Sequence, residues 1–177
     1  MVPRSRFLQC ALALLFAGAG PAVADVAADV RALLSRGDAN GALQLAESAA
    51  AANPKDPQAR FLHGVVLMDV RRDDAAMDVF TQLTQEYPEL PDPYNNIALL
   101  HARAGRLEAA QQALQTALRN DPGHRAARTN LGQVHLMLAV QAFEAAAATG
   151  PLDAPVQRLL DGARTLLAAR PGSPASR

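Results

Sequence analysis

Apolar residues along most of the chain recur every three or four positions, with polar residues between them. This spacing predicts helices that each bury one face. In residues 91–124 the predicted first helix places Tyr94, Ile97 and Ala98 on one face, and the second places Ala110, Leu114 and Ala117 on one face. Gly105 lies between the two helices. We therefore predict an all-α protein built from helix-turn-helix pairs.

Proline closes three successive blocks of this kind at one interval. Pro54, Pro88 and Pro122 are each separated by 34 residues (88 − 54 and 122 − 88). Proline ends a helix because it lacks the backbone N–H and clashes with the preceding turn. A fixed period of paired amphipathic helices indicates a tandem repeat whose units stack into a solenoid.

Residues at equivalent positions of these blocks resemble the tetratricopeptide repeat (TPR) family. The matching residues of the second block are Gly64, Leu67, Ala76, Phe80, Leu83 and Pro88. The resemblance implies a right-handed α-solenoid of about three repeats, at about 23–56, 57–90 and 91–124. A fourth, degenerate repeat occupies 125–149. The first block matches less well, as a terminal repeat with a polar outer face can.

Two departures from the repeat pattern predict local differences. Arg71 stands where Gly37 and Gly105 form the turn in neighbouring blocks, and a left-handed backbone costs a residue other than glycine free energy, so this turn is expected to be either reshaped or strained. In the fourth block the second-helix signature comes early, at Ala139, Phe143 and Ala146. We therefore predict one long helix from about Ala126 to Ala148. Gly132, like Ala98, is expected to allow a close approach of two helix backbones.

A last helix, predicted over 153–169, would cover the end of the stack. Asp153 is its expected N-cap. Its predicted apolar side consists of Val156, Leu159, Leu160, Ala163, Leu166 and Leu167. The Pro/Gly/Ser-rich tail 171–177 is predicted to be disordered.

The N-terminal residues 1–24 read as a signal peptide. Arg4 and Arg6 precede a short apolar stretch, and Ala22-Val23-Ala24 supplies the small residues of a cleavage site. Cleavage would leave Asp25 at the start of a domain spanning 25–170 in the periplasm or outside the cell. Cys10, the single cysteine, precedes most of the apolar stretch, which argues against a lipoprotein signal.

The resemblance implies that the first helices of the repeats line a concave groove that holds a peptide. The predicted groove residues are Phe61, Leu62, Val65, Asn95, Asn96, Leu99, Arg103, Asn130 and Gln133. Asn96 and Asn130 share one repeat position, and their carboxamides could pair with a ligand backbone. The alternative is that both make local structural hydrogen bonds. A Lys/Arg clamp for a terminal carboxylate is not apparent, and Arg103 is the cation expected to face the groove.

Composition and the remaining motifs narrow the function. Lys+Arg and Asp+Glu both number 17, so no net field favours nucleic acid. No nucleophile with a histidine partner and no phosphate loop is present, so we expect neither an enzyme nor a cofactor. His101 and His135 are also one repeat apart but lack further ligands at zinc spacing, so no metal is expected.

These features predict a non-enzymatic adaptor of the bacterial envelope that binds a peptide or protein segment. Small exported TPR proteins of proteobacteria contain a stretch that resembles residues 87–96. Two alternatives remain at this stage. One is a structural subunit of a homo-oligomer, and the other is a periplasmic chaperone that holds unfolded chains.

Overall fold

The structure, a computed structural model, describes residues 21–168, with side chains described from Asp25 onward. The predicted signal segment before residue 21 and the tail 171–177 lie outside the described residues. The described part contains eight helices and no strand: α1 Pro21–Arg36, α2 Ala39–Ala52, α3 Pro57–Asp69, α4 Asp73–Glu86, α5 Pro91–Arg103, α6 Leu107–Asn120, α7 Arg125–Thr149 and α8 Ala154–Ala168. Helix α1 therefore starts before the predicted cleavage junction at Asp25.

Caps explain where several helices begin. The Asp38 carboxylate accepts a hydrogen bond from the Gly41 N–H ahead of α2, and Asp56 accepts one from Gln58 ahead of α3. These bonds satisfy N–H groups that have no partner inside the helix. Asp153 does the same for α8 by accepting from Val156 N–H at 2.9 Å, which confirms the predicted cap.

The turns inside the first three helix pairs share one backbone conformation. Gly37, Arg71 and Gly105 have φ angles of 84°, 66° and 72°. Arg71 thus adopts the left-handed conformation that glycine supplies in the neighbouring turns, so the turn is strained rather than reshaped. A side chain in this region costs about 1 kcal/mol relative to glycine.

Consecutive helices pack against one another throughout, and α1 also contacts α3 as α5 contacts α7. Buried residues of α1 to α4, with Leu100 of α5, form one core cluster. A second cluster joins α5, α6 and the first half of α7. The helix pairs therefore stack in chain order, and each pair buries its apolar faces against its neighbours, as a solenoid requires.

Gly64 and Gly132 occupy the same repeat position but have different surroundings. A Cβ on Gly64 would lie 2.7 Å from Cε1 of Phe80, so α3 and α4 do approach closely there. A Cβ on Gly132 would meet nothing within 4 Å. The expected close approach at Gly132 is therefore wrong. The reason is that α7 continues as one helix of 25 residues, as predicted, and no second helix folds back against this position.

Helix α8 packs on α7 but buries only part of its predicted apolar side. Leu160 and Ala163 are buried, whereas Leu159 is 61% exposed, Leu166 67% and Leu167 36%. The prediction of one buried face is wrong for these three leucines, because α7 is the helix that α8 packs against and it contacts only one side of α8. None of the described helices has the length and apolar character needed to cross a bilayer.

Candidate functional site

The predicted groove residues lie on α3, α5 and α7, the first helices of their repeats. The first three, Phe61, Leu62 and Val65, are buried in the core cluster of α1 to α4. The Phe61 ring packs against Phe80 of α4 with ring centroids 5.4 Å apart. These side chains therefore hold the first two repeats together and offer almost no free surface to a ligand.

A line of three carboxamides crosses from α5 to α7. The Asn130 Nδ2 donates to Oδ1 of Asn95 at 2.8 Å, and the Asn95 Nδ2 donates to Oδ1 of Asn96 at 3.5 Å. Asn95 is 5% exposed and Asn96 is 1% exposed. Asn96 and Asn130 occupy the same repeat position, but they are not hydrogen-bonded to each other, because Asn130 bonds the neighbouring Asn95 instead.

The end of this carboxamide line is unsatisfied. Nδ2 of Asn96 is buried and has no hydrogen-bond partner among the described residues. Reversing all three amides would replace the unpaired donor by an unpaired acceptor, since each amide offers one group of each kind to its neighbour. A buried polar group without a partner costs about 1–3 kcal/mol.

Arg103 does not extend freely into the groove. Its Nη1 is 2.9 Å from Oδ1 of Asp73 and 3.3 Å from the carbonyl of Met68. Asp73 already neutralises the guanidinium, and the pair joins the end of α5 to the first turn of α4. The cation expected to face the groove is therefore already held by Asp73.

Four of the predicted groove residues remain accessible. Gln133 is exposed, and Leu99, Arg103 and Asn130 are half-buried. Two of them are carboxamides and one is aliphatic, and the charge of Arg103 is paired with Asp73. The accessible surface therefore has no unpaired charge, and it suits the backbone and small apolar side chains of a peptide better than a charged terminus.

The histidines have separate partners. Arg106 Nε donates to Nδ1 of His101, and burial followed by the Arg106 charge lowers the pKa of His101. His135 pairs instead with Gln111. Over the residues the structure describes, no three His, Cys, Asp or Glu side chains are grouped so that they could hold a metal ion.

His124 links the starts of α5 and α7, a contact that the repeat pattern did not indicate. His124 Nδ1 accepts the Ala127 N–H and caps α7, and Nε2 lies 3.0 Å from Oδ1 of Asp92. The hydrogen bond with Asp92 raises the pKa of His124 above its ordinary value. The sequence did contain a signal for this cap. His124 lies three residues before Ala127, at the N-cap position where Asp or Ser is common.

This geometry defines a class of protein: a solenoid of paired helices that presents an inner face built from the first helix of each pair. Two family models, both described as tetratricopeptide repeat, match residues 33–98 and 95–154. Together they span 33–154, which is 122 of the 177 residues. The chain belongs to the tetratricopeptide repeat family.

Solved structures share the fold at low sequence identity. TTC0263, a thermophilic TPR protein of Thermus thermophilus, is 21% identical with a TM-score of 0.60, and the match covers 84% of each chain. The first TPR domain of human RPAP3 is 14% identical with a TM-score of 0.59, covering 66% of this chain and 92% of that one.

A third similar structure was determined with a peptide. It is the second TPR domain of human RPAP3 in complex with an HSP70 peptide, 16% identical with a TM-score of 0.54, covering 62% of this chain and 92% of that one. A comparison with curated protein sequences finds no match.

Proposed function

We propose that this protein is a non-enzymatic adaptor of the bacterial envelope that binds a peptide or protein segment on its inner face. The observation that carries the proposal is the accessible surface formed by Leu99, Asn130 and Gln133 on α5 and α7. The buried carboxamide line that runs from Asn130 through Asn95 to Asn96 positions the Asn130 side chain at this surface. The structure with an HSP70 peptide shows that this fold can hold a peptide in another protein.

The ligand proposed here differs in chemistry from the HSP70 and HSP90 peptides in similar structures. Those peptides both end in the letters EEVD and carry a terminal acidic group. In this chain Asn96 and Asn130 provide neutral carboxamides, and Arg103 is already paired with Asp73. On the inner face the peptide is therefore held by backbone hydrogen bonds and small apolar side chains rather than by capture of its terminal carboxylate.

The envelope location rests on the signal-like residues 1–24. Arg4 and Arg6, the apolar stretch that follows them and Ala24 have the order found in exported precursors. Fractionation of cells that produce the full chain tests this part separately. A shortened chain recovered from the periplasm supports it, and full-length chain confined to the cytoplasm contradicts it.

Two variants test binding. Asn130→Ala removes an accessible carboxamide, and Asn96→Leu removes the buried carboxamide whose Nδ2 is unpaired. Asn120→Ala is the matched control, because Asn120 bonds the Pro88 carbonyl in a loop outside the groove set. Proteins retained from the envelope fraction are identified, and overlapping peptides from them are titrated against each variant.

The expected result is a peptide that binds wild type and the Asn120 variant, with affinity reduced about tenfold or more in the Asn130 and Asn96 variants. The proposal fails when all variants bind equally. It also fails when affinity falls only in proportion to the melting temperature, because that pattern would mean the carboxamides act on stability alone.

A second candidate, a homo-oligomeric structural subunit, is favoured by the exposed leucines of α8. Leu159 and Leu166 lie on the side of α8 that leaves α7, and both are more than half exposed. Sedimentation analysis over a concentration series distinguishes the candidates. A concentration-independent monomer supports the adaptor, and a stable oligomer that Leu159→Ser dissociates supports the structural subunit.

A further inference from the structure

A second candidate site lies between the α3–α4 turn and the α5–α6 turn, and Arg103 is the predicted groove residue that it includes. It is a cavity of about 180 Å³. Three arginines line it, Arg71, Arg103 and Arg106, together with the carboxylates of Asp73 and Asp74. Two consecutive repeats thus bring charged turn residues together at one edge of the solenoid.

Arg71 is the first sign that this cavity has a use. Its backbone has φ 66°, a conformation that the equivalent Gly37 and Gly105 adopt without a side-chain penalty. An arginine with this φ angle destabilises the turn relative to glycine, so the stability of the turn does not explain why an arginine is present. None of the salt bridges in the described part of the chain involves Arg71, and its side chain is exposed. Strain of this kind is often associated with functional positions.

The other charges leave the cavity with an excess of positive charge. Arg103 and Asp73 neutralise each other at 2.9 Å. The hydrogen bond from Arg106 Nε to His101 at 3.0 Å restrains the Arg106 guanidinium and uses only this nitrogen. Arg71 and Arg106 therefore face a single remaining carboxylate, that of Asp74.

The apolar part of the lining limits what the cavity can hold. Met77 is half-buried and lines the cavity, and Leu100 reaches its wall with only 3% of its surface exposed. A carboxylate on an aliphatic stem matches this lining, because its charged end can meet the arginines while its methylene groups contact Met77. A phosphate dianion fits less well, since it has no apolar part and is repelled more strongly by Asp73 and Asp74.

We propose that this cavity binds an acidic side chain of a partner peptide, with Arg71 and Arg106 as its ion-pair contacts. Glutamate is the natural ligand because its two methylene groups supply the aliphatic stem. The site does not depend on the carboxamide line, so it can exist whether or not the inner face binds a peptide.

The test uses the full chain and a tetraglutamate peptide with blocked termini, titrated at low ionic strength. Tetraglutamine and inorganic phosphate are separate arms of the same titration. Arg71→Gly removes the cation and relieves the backbone strain. Arg72→Gln is the matched control, because Arg72 is the adjacent exposed arginine and does not line the cavity.

We expect tetraglutamate to bind wild type and Arg72→Gln alike, with affinity reduced about tenfold in Arg71→Gly. Arg71→Gly should also melt at a higher temperature than wild type, so weaker binding cannot be a consequence of unfolding. Equal loss in both variants, equal binding of tetraglutamine, or binding of phosphate without tetraglutamate would each overturn the proposal. An Arg71→Gly variant that binds as well as wild type would overturn it too.

Discussion

The different surroundings of Gly64 and Gly132 predict opposite effects of one substitution at equivalent repeat positions. In Gly64→Ala the new methyl group would lie 2.7 Å from Cε1 and 2.9 Å from Cζ of Phe80. Phe80 is fully buried and packs on Phe61, so its ring has little room to move. In Gly132→Ala the methyl group meets no atom within 4 Å and points to solvent.

The magnitudes follow from packing and helix propensity. Overpacking a filled core costs about 1–3 kcal/mol, and replacing a helical glycine by alanine gains about 1 kcal/mol. With the gain subtracted from the cost, we expect Gly64→Ala to lower the free energy of unfolding by up to about 2 kcal/mol. Gly132→Ala has only the propensity gain and should raise the free energy of unfolding by about 0.5–1 kcal/mol.

The assay is urea unfolding followed by far-UV circular dichroism. Gly162→Ala is the control for propensity alone, because Gly162 is also helical with nothing within 4 Å of its Cβ position. It should behave like Gly132→Ala. If Gly132→Ala is instead as destabilising as Gly64→Ala, a helix packs against Gly132 and the single straight α7 is refuted.

Three further predictions concern other parts of the chain. Arg71→Gly should raise the free energy of unfolding by about 0.5–1 kcal/mol, seen as a higher melting temperature; an unchanged or lower value would contradict strain at φ 66°. Burial lowers the pKa of His63 in the folded protein below its unfolded value of 6.5. The folded state is therefore favoured fully above pH 6.5, where His63 is neutral in both states. This stability is lost as the pH falls from 6.5 towards the lower folded pKa, because the unfolded chain then binds the proton more readily. His63→Leu should therefore reduce acid destabilisation in melts between pH 7 and about pH 5, and unchanged acid sensitivity would count against this role. Leu160→Ala should cost about 2–4 kcal/mol and Leu159→Ala less than about 0.5 kcal/mol in urea unfolding of the monomer; similar losses would mean that Leu159 is also covered.

The predicted groove residues show which contacts the 34-residue repeat period can predict and which it cannot. The 34-residue period correctly predicted that Asn96 and Asn130 lie on neighbouring first helices, α5 and α7. The repeat period could not predict that Asn130 bonds Asn95 or that Asn96 has an unpaired Nδ2. Those contacts depend on the offset between two helices, which a single helix does not encode.

Local patterns in the sequence determined the helices, the turn at Arg71, the Asp153 cap and the long α7, because each depends on residues within a few positions of one another. The tertiary structure decided which apolar faces are covered. It buried Phe61, Leu62 and Val65, paired Arg103 with Asp73 and left Gly132 and Leu159 open. The physical reason is that burial and ion pairing depend on which helix lies opposite a given face, and that neighbour is set by the packing of the whole stack.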